Sequence, residues 1–491
     1  MNQVADGKGE IVHPENSPTR RARTSKVLAA TVLLTMVGGT ATAAAPAHAA
    51  RPGASPDVRG VWRVQGDSTV LSIGHGTLRT YQTTAVSCLP GDTARRTGGG
   101  AAGTVTYEGD ENTYQVRPGK GGARATLHYE GSTGDRTLRR VTELPQRCGE
   151  SAPHGKRATF DVFWQTFAEN YPFFQAKNID WRAVRDRYRP RIHEGMSDAQ
   201  LFAVLREMIS PLYDAHVSLR AGDTGNFGQG RPGTEIPSAA LDQRARSHIE
   251  RIDLGGERLR PFAGGRIGYA QLPAGQGYLR ISGFGGYTDK GDDYTADSAA
   301  LDEALTEAVR SGPRGLVLDL RINGGGSDAL ALQVAGRLAD RPYFAYAKRV
   351  RDDPADPAHF TRPQPVHVHP ALGRQRYPGP LAVLTGGETY SAGETLTQAL
   401  MDRPAPTVRI GRNTQGVFSD VLERRLPNGW TFGLPNEEFR TATGETFDGA
   451  GIPPHHQTGL FTEELAQGTH DSAFARALVE LARHPGRSQP S

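Results

Sequence analysis

The sequence predicts an α/β core in which helices cover a mixed sheet, joined to an α-helical cap and a separate N-terminal all-β domain. The length of 491 residues exceeds what one hydrophobic core usually organises, so several domains are expected. From residue 266 onward, short apolar runs alternate with stretches of helical periodicity, which is typical of a parallel or mixed sheet. The 60 glycines and 33 prolines favour a loop-rich protein over a helical bundle.

The first fifty residues have the pattern of a secretory signal peptide. Four basic residues between Arg20 and Lys26 precede the uncharged stretch 27–45, and Ala47-His48-Ala49 supplies an A-x-A cleavage site. The alternative is a membrane anchor, but a stretch rich in Ala, Thr and Gly makes a weak membrane span. We therefore predict that residues 1–50 are removed and that the protein is secreted (extracellular), without stable membrane insertion.

Residues 56–150 predict a small antiparallel barrel or sandwich, because short alternating runs are punctuated by Gly, Asp and Asn. The chain has only two cysteines, Cys88 and Cys148, and we expect them to pair in an oxidising compartment. Closing a loop of about 60 residues would stabilise the fold by roughly 4 kcal/mol. Two distant cysteines without a nearby histidine pair predict no metal site, and no cofactor is indicated.

Residues 158–220 predict the helical cap, since apolar residues recur at helical spacing and Ser197-Asp198 resembles a helix start. The glycine-rich stretch 221–265 is interpreted as a linker or a reduced insertion. Residues 266–480 form the predicted α/β core. Its predicted elements are strand 277–281, helix 299–309, strand 315–320, helix 328–339, strand 381–385, helix 392–400, and strands near 407–410, 417–425 and 430–434.

The candidate catalytic residues of the core follow the ends of two predicted strands. The run 316–320 leads into Gly324-Gly325-Gly326, whose backbone N–H groups are unobstructed, and the run 382–385 leads to Ser391 at the start of a helix. An oxyanion site facing a nucleophile is the core of acyl-transfer chemistry. Taken alone, Ser391 is more often a helix N-cap. The glycine turn also suits phosphate, but the dinucleotide and P-loop patterns are not found there.

Six motifs occur in the order found in the tail-specific (C-terminal processing) serine peptidases. They are 214–219, 319–326, 391–394, 411–416, 426–429 and 447–454. Over roughly residues 158–480 the chain resembles the branch of that superfamily that includes the tricorn core and the interphotoreceptor retinoid-binding protein modules. The resemblance implies a ClpP/crotonase-like core that acts on peptides or unfolded proteins. It also implies that Ser391 is the nucleophile.

The resemblance assigns the remaining roles residue by residue. His216 matches the general base, although a lone histidine is more often structural. Backbone N–H groups of Gly324 or Gly325, and of Ala392, match the oxyanion hole. Asp448 stands where the family has an orienting glutamate, with a plain turn residue as the alternative.

The sequence also departs from the family pattern. A second branch of the superfamily uses a Ser–Lys dyad, but Val417 occupies the place of that lysine and no lysine follows Ser391. His216 is therefore the base that the motifs supply. No PDZ-like domain is evident between His216 and the strand at 277–281.

These observations predict a secreted serine peptidase that acts through an acyl-enzyme on Ser391. The alternative is a catalytically weak or inactive binding protein of the same fold for apolar ligands or peptides. An esterase is a third option, because the same chemistry serves esters. Nucleic-acid binding is not predicted, since the net charge is only +4 and no recognition motif is present.

Overall fold

The computed structural model describes residues 57–483, except 111, 292 and 469. The predicted signal peptide, residues 1–50, lies outside the described residues. Within residues 57–483, no helix is both long and apolar enough to cross a bilayer.

The N-terminal region is a closed antiparallel barrel of eight strands in which each strand pairs with its neighbours in the sequence. Its interior is filled by alternating apolar residues such as Trp62, Leu71, Leu127 and Leu138. The strands are β1 Gly60–Val64, β2 Thr69–Ile73, β3 Thr77–Thr84, β4 Ser87–Gly99, β5 Val105–Glu108, β6 Thr113–Pro118, β7 Arg124–Tyr129 and β8 Arg136–Val141. A disulfide joins Cys88 at the start of β4 to Cys148 beyond β8, as the cysteine count predicts.

The next part of the chain is helical and then returns to short strands. Ser197 caps the third helix through a reciprocal capping box with Gln200, which is the start that the sequence predicts. The elements are α1 Gly155–Asn170, α2 Trp181–Tyr188, α3 Asp198–Ile209, β9 Ser218–Arg220, β10 Asn226–Gly228, α4 Ala239–His248, β11 Arg260–Phe262, β12 Ile267–Gln271 and β13 Gly277–Ile281.

The remaining elements alternate helix and strand. They are α5 Tyr294–Arg310, β14 Leu316–Asp319, β15 Ile322–Asn323, α6 Asp328–Arg337, β16 Tyr343–Val350, β17 Gln364–Val368, β18 Leu381–Thr385, β19 Glu388–Thr389, α7 Ala392–Ala399, β20 Thr407–Gly411, β21 Val421–Arg425, β22 Thr431–Pro435, β23 Glu437–Arg440, β24 His456–Gln457, α8 Phe461–Gln467 and α9 Ser472–Arg483.

A seven-stranded mixed sheet organises the core, in the order β11-β12-β13-β14-β18-β20-β24. From β13 to β24 the neighbouring strands run parallel, so the carboxyl ends of β14 and β18 lie side by side at one edge. These two strands are buried throughout, as expected for a sheet covered on both faces. Helices α5, α6 and α7 pack on one face, and α4 and α9 on the other.

The helices α1 to α3 share a second hydrophobic core with a four-stranded sheet in the order β10-β9-β22-β21. Phe432 on β22 stacks against Phe167 on α1. Strands that are distant in sequence from these helices therefore form part of the same hydrophobic core. A third, three-stranded sheet has the order β17-β16-β23.

The predicted fold class is confirmed, and the N-terminal domain is a barrel rather than a sandwich. Two predictions of detail differ from the structure. The stretch 221–265 contains helix α4, which Ser238 caps and which buries Leu241 and Ala245. The hairpin of β16 and β17 was also not expected.

The barrel is held against the core by polar contacts at one turn. The carbonyl of Gly131 accepts hydrogen bonds from the Ser327 hydroxyl at 2.6 Å and from the Ala329 N–H at 3.3 Å. Close by, the Lys348 ammonium donates to the Thr133 carbonyl at 2.9 Å. Ser327 is the N-cap of α6 and directly follows the glycine turn, so the barrel meets the core next to the predicted oxyanion site.

Candidate active site

Two short parallel strands bring the predicted site together. Strand β15 pairs with β19 so that Ile322 lies opposite Glu388 and Asn323 opposite Thr389. The Tyr390 N–H then donates to the Asn323 carbonyl at 3.0 Å. The glycine turn and the Ser391 turn leave these strands in the same direction, so they emerge beside each other.

Two glycines allow the turns to approach this closely. A Cβ atom on Gly325 would lie 2.5 Å from the Ser391 Cβ, and Gly325 has a φ of +77°. A Cβ atom on Gly393 would lie 2.6 Å from the Asn323 Oδ1. Any larger residue at either position would push the nucleophile turn away from the glycine turn.

Ser391 has a strained backbone, with φ 53° and ψ −120°. A helix N-cap usually has an extended backbone, so this conformation does not match the simple capping alternative. A non-glycine residue in such a sparsely populated region costs about 1–3 kcal/mol and persists only where its surroundings enforce it. A comparable strained strand-to-helix turn exposes the nucleophilic serine of other hydrolases.

The buried side chain of Glu394 stabilises the conformation of the Ser391 turn. Its carboxylate is fully buried and accepts backbone hydrogen bonds from Ser391 at 3.3 Å, Gly416 at 2.6 Å and Val417 at 2.8 Å. Burial raises the pKa of Glu394 to about 8, although these donors oppose the shift. Glu394 thus connects the first turn of α7 to the 414–417 turn through backbone hydrogen bonds.

His216 is held in a buried turn between α3 and β9. The Asp214 carboxylate accepts the His216 backbone N–H at 3.0 Å and the Tyr171 hydroxyl at 2.8 Å, which fixes this turn. Within residues 57–483, the buried His216 Nδ1 has no hydrogen-bond partner. Burial lowers the pKa of His216 to about 4, and the nearby Asp214 charge only partly opposes this. The imidazole is therefore neutral at pH 7, as a general base must be.

Tyr390 links the nucleophile turn to the histidine turn. Its hydroxyl donates to the carbonyl of Ala215 at 3.0 Å, and its ring contacts the His216 ring edge-to-face with centroids 5.0 Å apart. Tyr390 directly precedes Ser391, and Ala215 directly precedes His216. One side chain thus sets the separation of the predicted nucleophile and the predicted base.

The predicted oxyanion donors differ in their present hydrogen bonds. The Gly324 N–H donates to the Ser282 carbonyl at 3.0 Å, and the Gly325 N–H donates to Asn323 Oδ1 at 2.9 Å. Ala392 is the first residue of α7, where helix amides have no partner within the helix. An oxyanion would have to share the glycine N–H groups in three-centre bonds or displace their partners, so the roles of Gly324 and Gly325 stay predictions.

Asp448 lies in the neighbourhood of the site but is not hydrogen-bonded to His216. Its carboxylate accepts the Thr446 hydroxyl at 2.7 Å. Burial and the charges of Asp214 and Glu394 raise the pKa of Asp448 well above its usual range. The structure therefore packs the Ser391 turn against the glycine turn and joins it through Tyr390 to the turn that holds His216. Within residues 57–483 no hydrogen bond joins Ser391 to His216, so the catalytic roles of Ser391, His216, Ala392 and Asp448 stay predictions.

Sequence reasoning missed the roles of Glu394 and Tyr390. Glu394 belongs to the Ser391 motif, and an acidic residue three positions after a helix cap is a recognisable signal. The hydrogen bond between Tyr390 and Ala215 joins residues 175 positions apart, and no local sequence pattern predicts such a contact.

Comparisons with known proteins agree with this geometry. Residues 275–458 match the peptidase family S41, and residues 155–210 match the tricorn protease C1 domain. Most of the mixed sheet, the glycine turn and Ser391 lie within the part of the chain that matches this peptidase family. Residues 275–458 thus carry the pattern of peptidase family S41, and the matches together support the resemblance to the tail-specific peptidases drawn from the six motifs.

Individual relatives cover different parts of the chain. A chloroplastic C-terminal processing peptidase from Tetradesmus obliquus is 29% identical over 202 residues, which is 39% of this chain and 38% of that relative. The crystal structure of a candidate peptidase from Parabacteroides merdae shares the fold, with a TM-score of 0.55 and 23% identity over 69% of this chain and 100% of that one. The structure of mature CPAF has a TM-score of 0.49 and 13% identity over 67% and 98%.

Replacing Tyr390 by phenylalanine tests the link between the two turns. The change keeps the ring contact but removes the hydrogen bond to Ala215, whose net contribution is about 1 kcal/mol. We expect the rate at which a fluorophosphonate labels Ser391 to fall about fivefold while the melting temperature changes little. Tyr269→Phe is the matched control, because it removes a hydroxyl that bonds Ser311 and Gln271 elsewhere in the core. Equal labelling rates for both variants would contradict the positioning role.

Proposed function

We propose that this chain is a secreted serine peptidase that cleaves peptide or unfolded protein substrates through an acyl-enzyme on Ser391. The observation that carries the proposal is the strained Ser391 turn, packed against the glycine turn and joined through Tyr390 to the buried turn that holds His216. The signal-peptide pattern and the disulfide support secretion.

In the proposed reaction, His216 takes the proton of the Ser391 hydroxyl as the oxygen attacks the substrate carbonyl. Negative charge then develops on the carbonyl oxygen, next to the amide of Ala392 and the glycine turn. His216 returns the proton to the leaving amine, and a water molecule attacks the acyl-enzyme by the same route. Asp448 is the proposed orienting group for the His216 imidazole.

A second candidate function is supported by two features of the site. The Gly324 and Gly325 amides are bonded internally, and His216 Nδ1 has no partner among the described residues. Both features favour a catalytically weak or inactive protein that binds apolar ligands or peptides on the same scaffold. Covalent labelling of Ser391 distinguishes this binding protein from a peptidase.

Substitution of the nucleophile and the base tests the peptidase proposal. Ser391→Ala should abolish fluorophosphonate labelling and the cleavage of an unstructured protein such as casein. His216→Ala should reduce both by about 10³-fold or more, because an unassisted serine is a weak nucleophile at neutral pH. Ser247→Ala is a comparison in which an exposed serine of α4, outside the site, is lost. Wild-type protein that binds casein but never labels at Ser391 would favour the binding protein.

The pH dependence tests the buried state of His216. Because burial lowers the pKa of His216 to about 4, the imidazole stays neutral at pH 7 and is lost as a base only when the pH falls toward that value. The labelling rate should therefore be almost constant from pH 7 to pH 6 and decline at lower pH. An acidic limb centred at 6.5 or above would show that His216 is hydrated or ion-paired in the reactive state.

Two aspartate variants test which carboxylate orients the imidazole. We expect Asp448→Asn to lower the labelling rate about 10–100-fold, because it removes the carboxyl group that is proposed to accept the His216 Nδ1–H in the reactive state. Asp214→Asn should have a smaller effect on rate and a larger effect on stability, since Asp214 fixes the turn through the His216 N–H and the Tyr171 hydroxyl. The opposite order of rate effects would assign the orienting role to Asp214.

A further inference from the structure

A second cleft lies away from Ser391, between the outer face of the barrel and the hairpin of β16 and β17. It encloses about 710 Å³. Its lining contains six cationic side chains and only two carboxylates, Asp135 and Asp352. The cleft is thus strongly basic although the whole chain has a net charge of only +4.

The two carboxylates in the cleft already have donors of their own. Asp135 is bonded by Arg117 at 3.0 Å and lies beside His128, while Asp352 is bonded by Gln65 at 2.6 Å and by His359 at 2.5 Å. Neither carboxylate is paired with a cleft arginine, so neither of them neutralises the arginines of the cleft.

Three of the six cations are paired with acidic residues of the core. Arg136 and Lys348 both contact Glu437, and Arg349 pairs with Glu438. The other three, Arg124, Arg139 and Arg362, make no side-chain hydrogen bond or ion pair with any residue that the structure describes.

Two of these arginines, Arg124 and Arg139, lie opposite other arginines on the barrel. Arg124 on β7 lies directly opposite Arg139 on β8, and Arg139 in turn lies opposite Arg63 on β1. Directly opposed like charges destabilise an antiparallel pair. Opposed like charges that no acidic residue of the protein neutralises are characteristic of a functional surface.

One barrel turn connects the cleft to the neighbourhood of the candidate active site. The cleft lining includes residues 132–135 of this turn, and the preceding residue, Gly131, accepts the hydrogen bond from Ser327 directly after the glycine turn.

We propose that this cleft binds acidic, carboxylate-rich segments of the protein substrate, with Arg124, Arg139 and Arg362 as the recognising side chains. The proposal deepens the peptidase function and rests on it for the identity of the ligand as a substrate. Guanidinium groups match carboxylates through paired N–H donors. A single-stranded nucleic acid fits less well, because it needs open aromatic faces, and the face of Phe360 is covered by the Arg349 guanidinium at 4.0 Å.

Binding to the Ser391→Ala protein tests the cleft independently of catalysis. The probe is a fluorescein-labelled oligoglutamate peptide, measured by fluorescence anisotropy at low ionic strength beside an oligoglutamine peptide of the same length. We expect oligoglutamate to bind at least about tenfold more tightly than oligoglutamine, and added salt to weaken its binding. The triple variant Arg124→Gln/Arg139→Gln/Arg362→Gln should lose this preference.

The control is the triple variant Arg79→Gln/Arg182→Gln/Arg258→Gln, which removes the same charge from three exposed arginines outside the cleft. It should keep the oligoglutamate preference. Equal binding of the two peptides by the unaltered cleft, or equal loss in both triple variants, would overturn the proposal. Tighter binding of oligothymidylate or of phosphatidylglycerol vesicles than of oligoglutamate, abolished by the cleft variant, would also overturn it.

Cleavage assays then separate the cleft from the proposed function. A fluorogenic peptide with an acidic extension should be cleaved about tenfold more efficiently than its neutral counterpart, and the cleft variant should lose this difference while cleaving the neutral peptide normally. Oligoglutamate binding without any cleavage would refute the peptidase function and leave the anion site standing. Cleavage without an acidic preference would refute the cleft alone.

Discussion

The site depends on the parallel pairing of β15 with β19. These strands are only two residues long, yet they align the glycine turn with the Ser391 turn. They follow β14 and β18, which are buried neighbours in the main sheet. The pairing of β14 with β18 therefore also aligns β15 with β19. The close approach then requires Gly325 and Gly393, because a side chain at either position would collide with the opposite turn. The nucleophile is thus positioned by the sheet itself.

The strain at Ser391 and the burial of the Glu394 carboxyl group form a coupled arrangement. A backbone with φ 53° is unfavourable for serine, and a buried carboxyl group is costly unless its oxygens accept hydrogen bonds. Glu394 resolves both problems, because the N–H groups that satisfy it come from the strained turn and from residues 416 and 417. Removing the carboxylate would release the turn and leave those N–H groups unpaired.

The sequence predicted the parts of the fold that have a strong local signal. Strand Gly277–Ile281 and strand Leu381–Thr385 have the predicted bounds, because each is an apolar run between turn residues. Helix α4 was missed, since its composition is polar and only its Ser238 cap and two buried apolar residues mark it. Among the candidate site residues, Ser391, His216 and the glycine turn were predicted from motif order, and their roles stay predictions. The link through Tyr390 could not be predicted, because it depends on tertiary distance.

The residue that replaces the lysine of the Ser–Lys branch has a structural role here. Val417 is buried, and its N–H donates to the Glu394 carboxylate, so this position supports the nucleophile turn rather than supplying a base. On the proposed assignment the base comes from another element, namely His216 in the turn that follows α3. Burial keeps its imidazole neutral, and Tyr390 links its turn to the Ser391 turn. The proposed mechanism therefore requires the helical region and the sheet to be docked correctly, whereas a lysine beside Ser391 would need only the sheet.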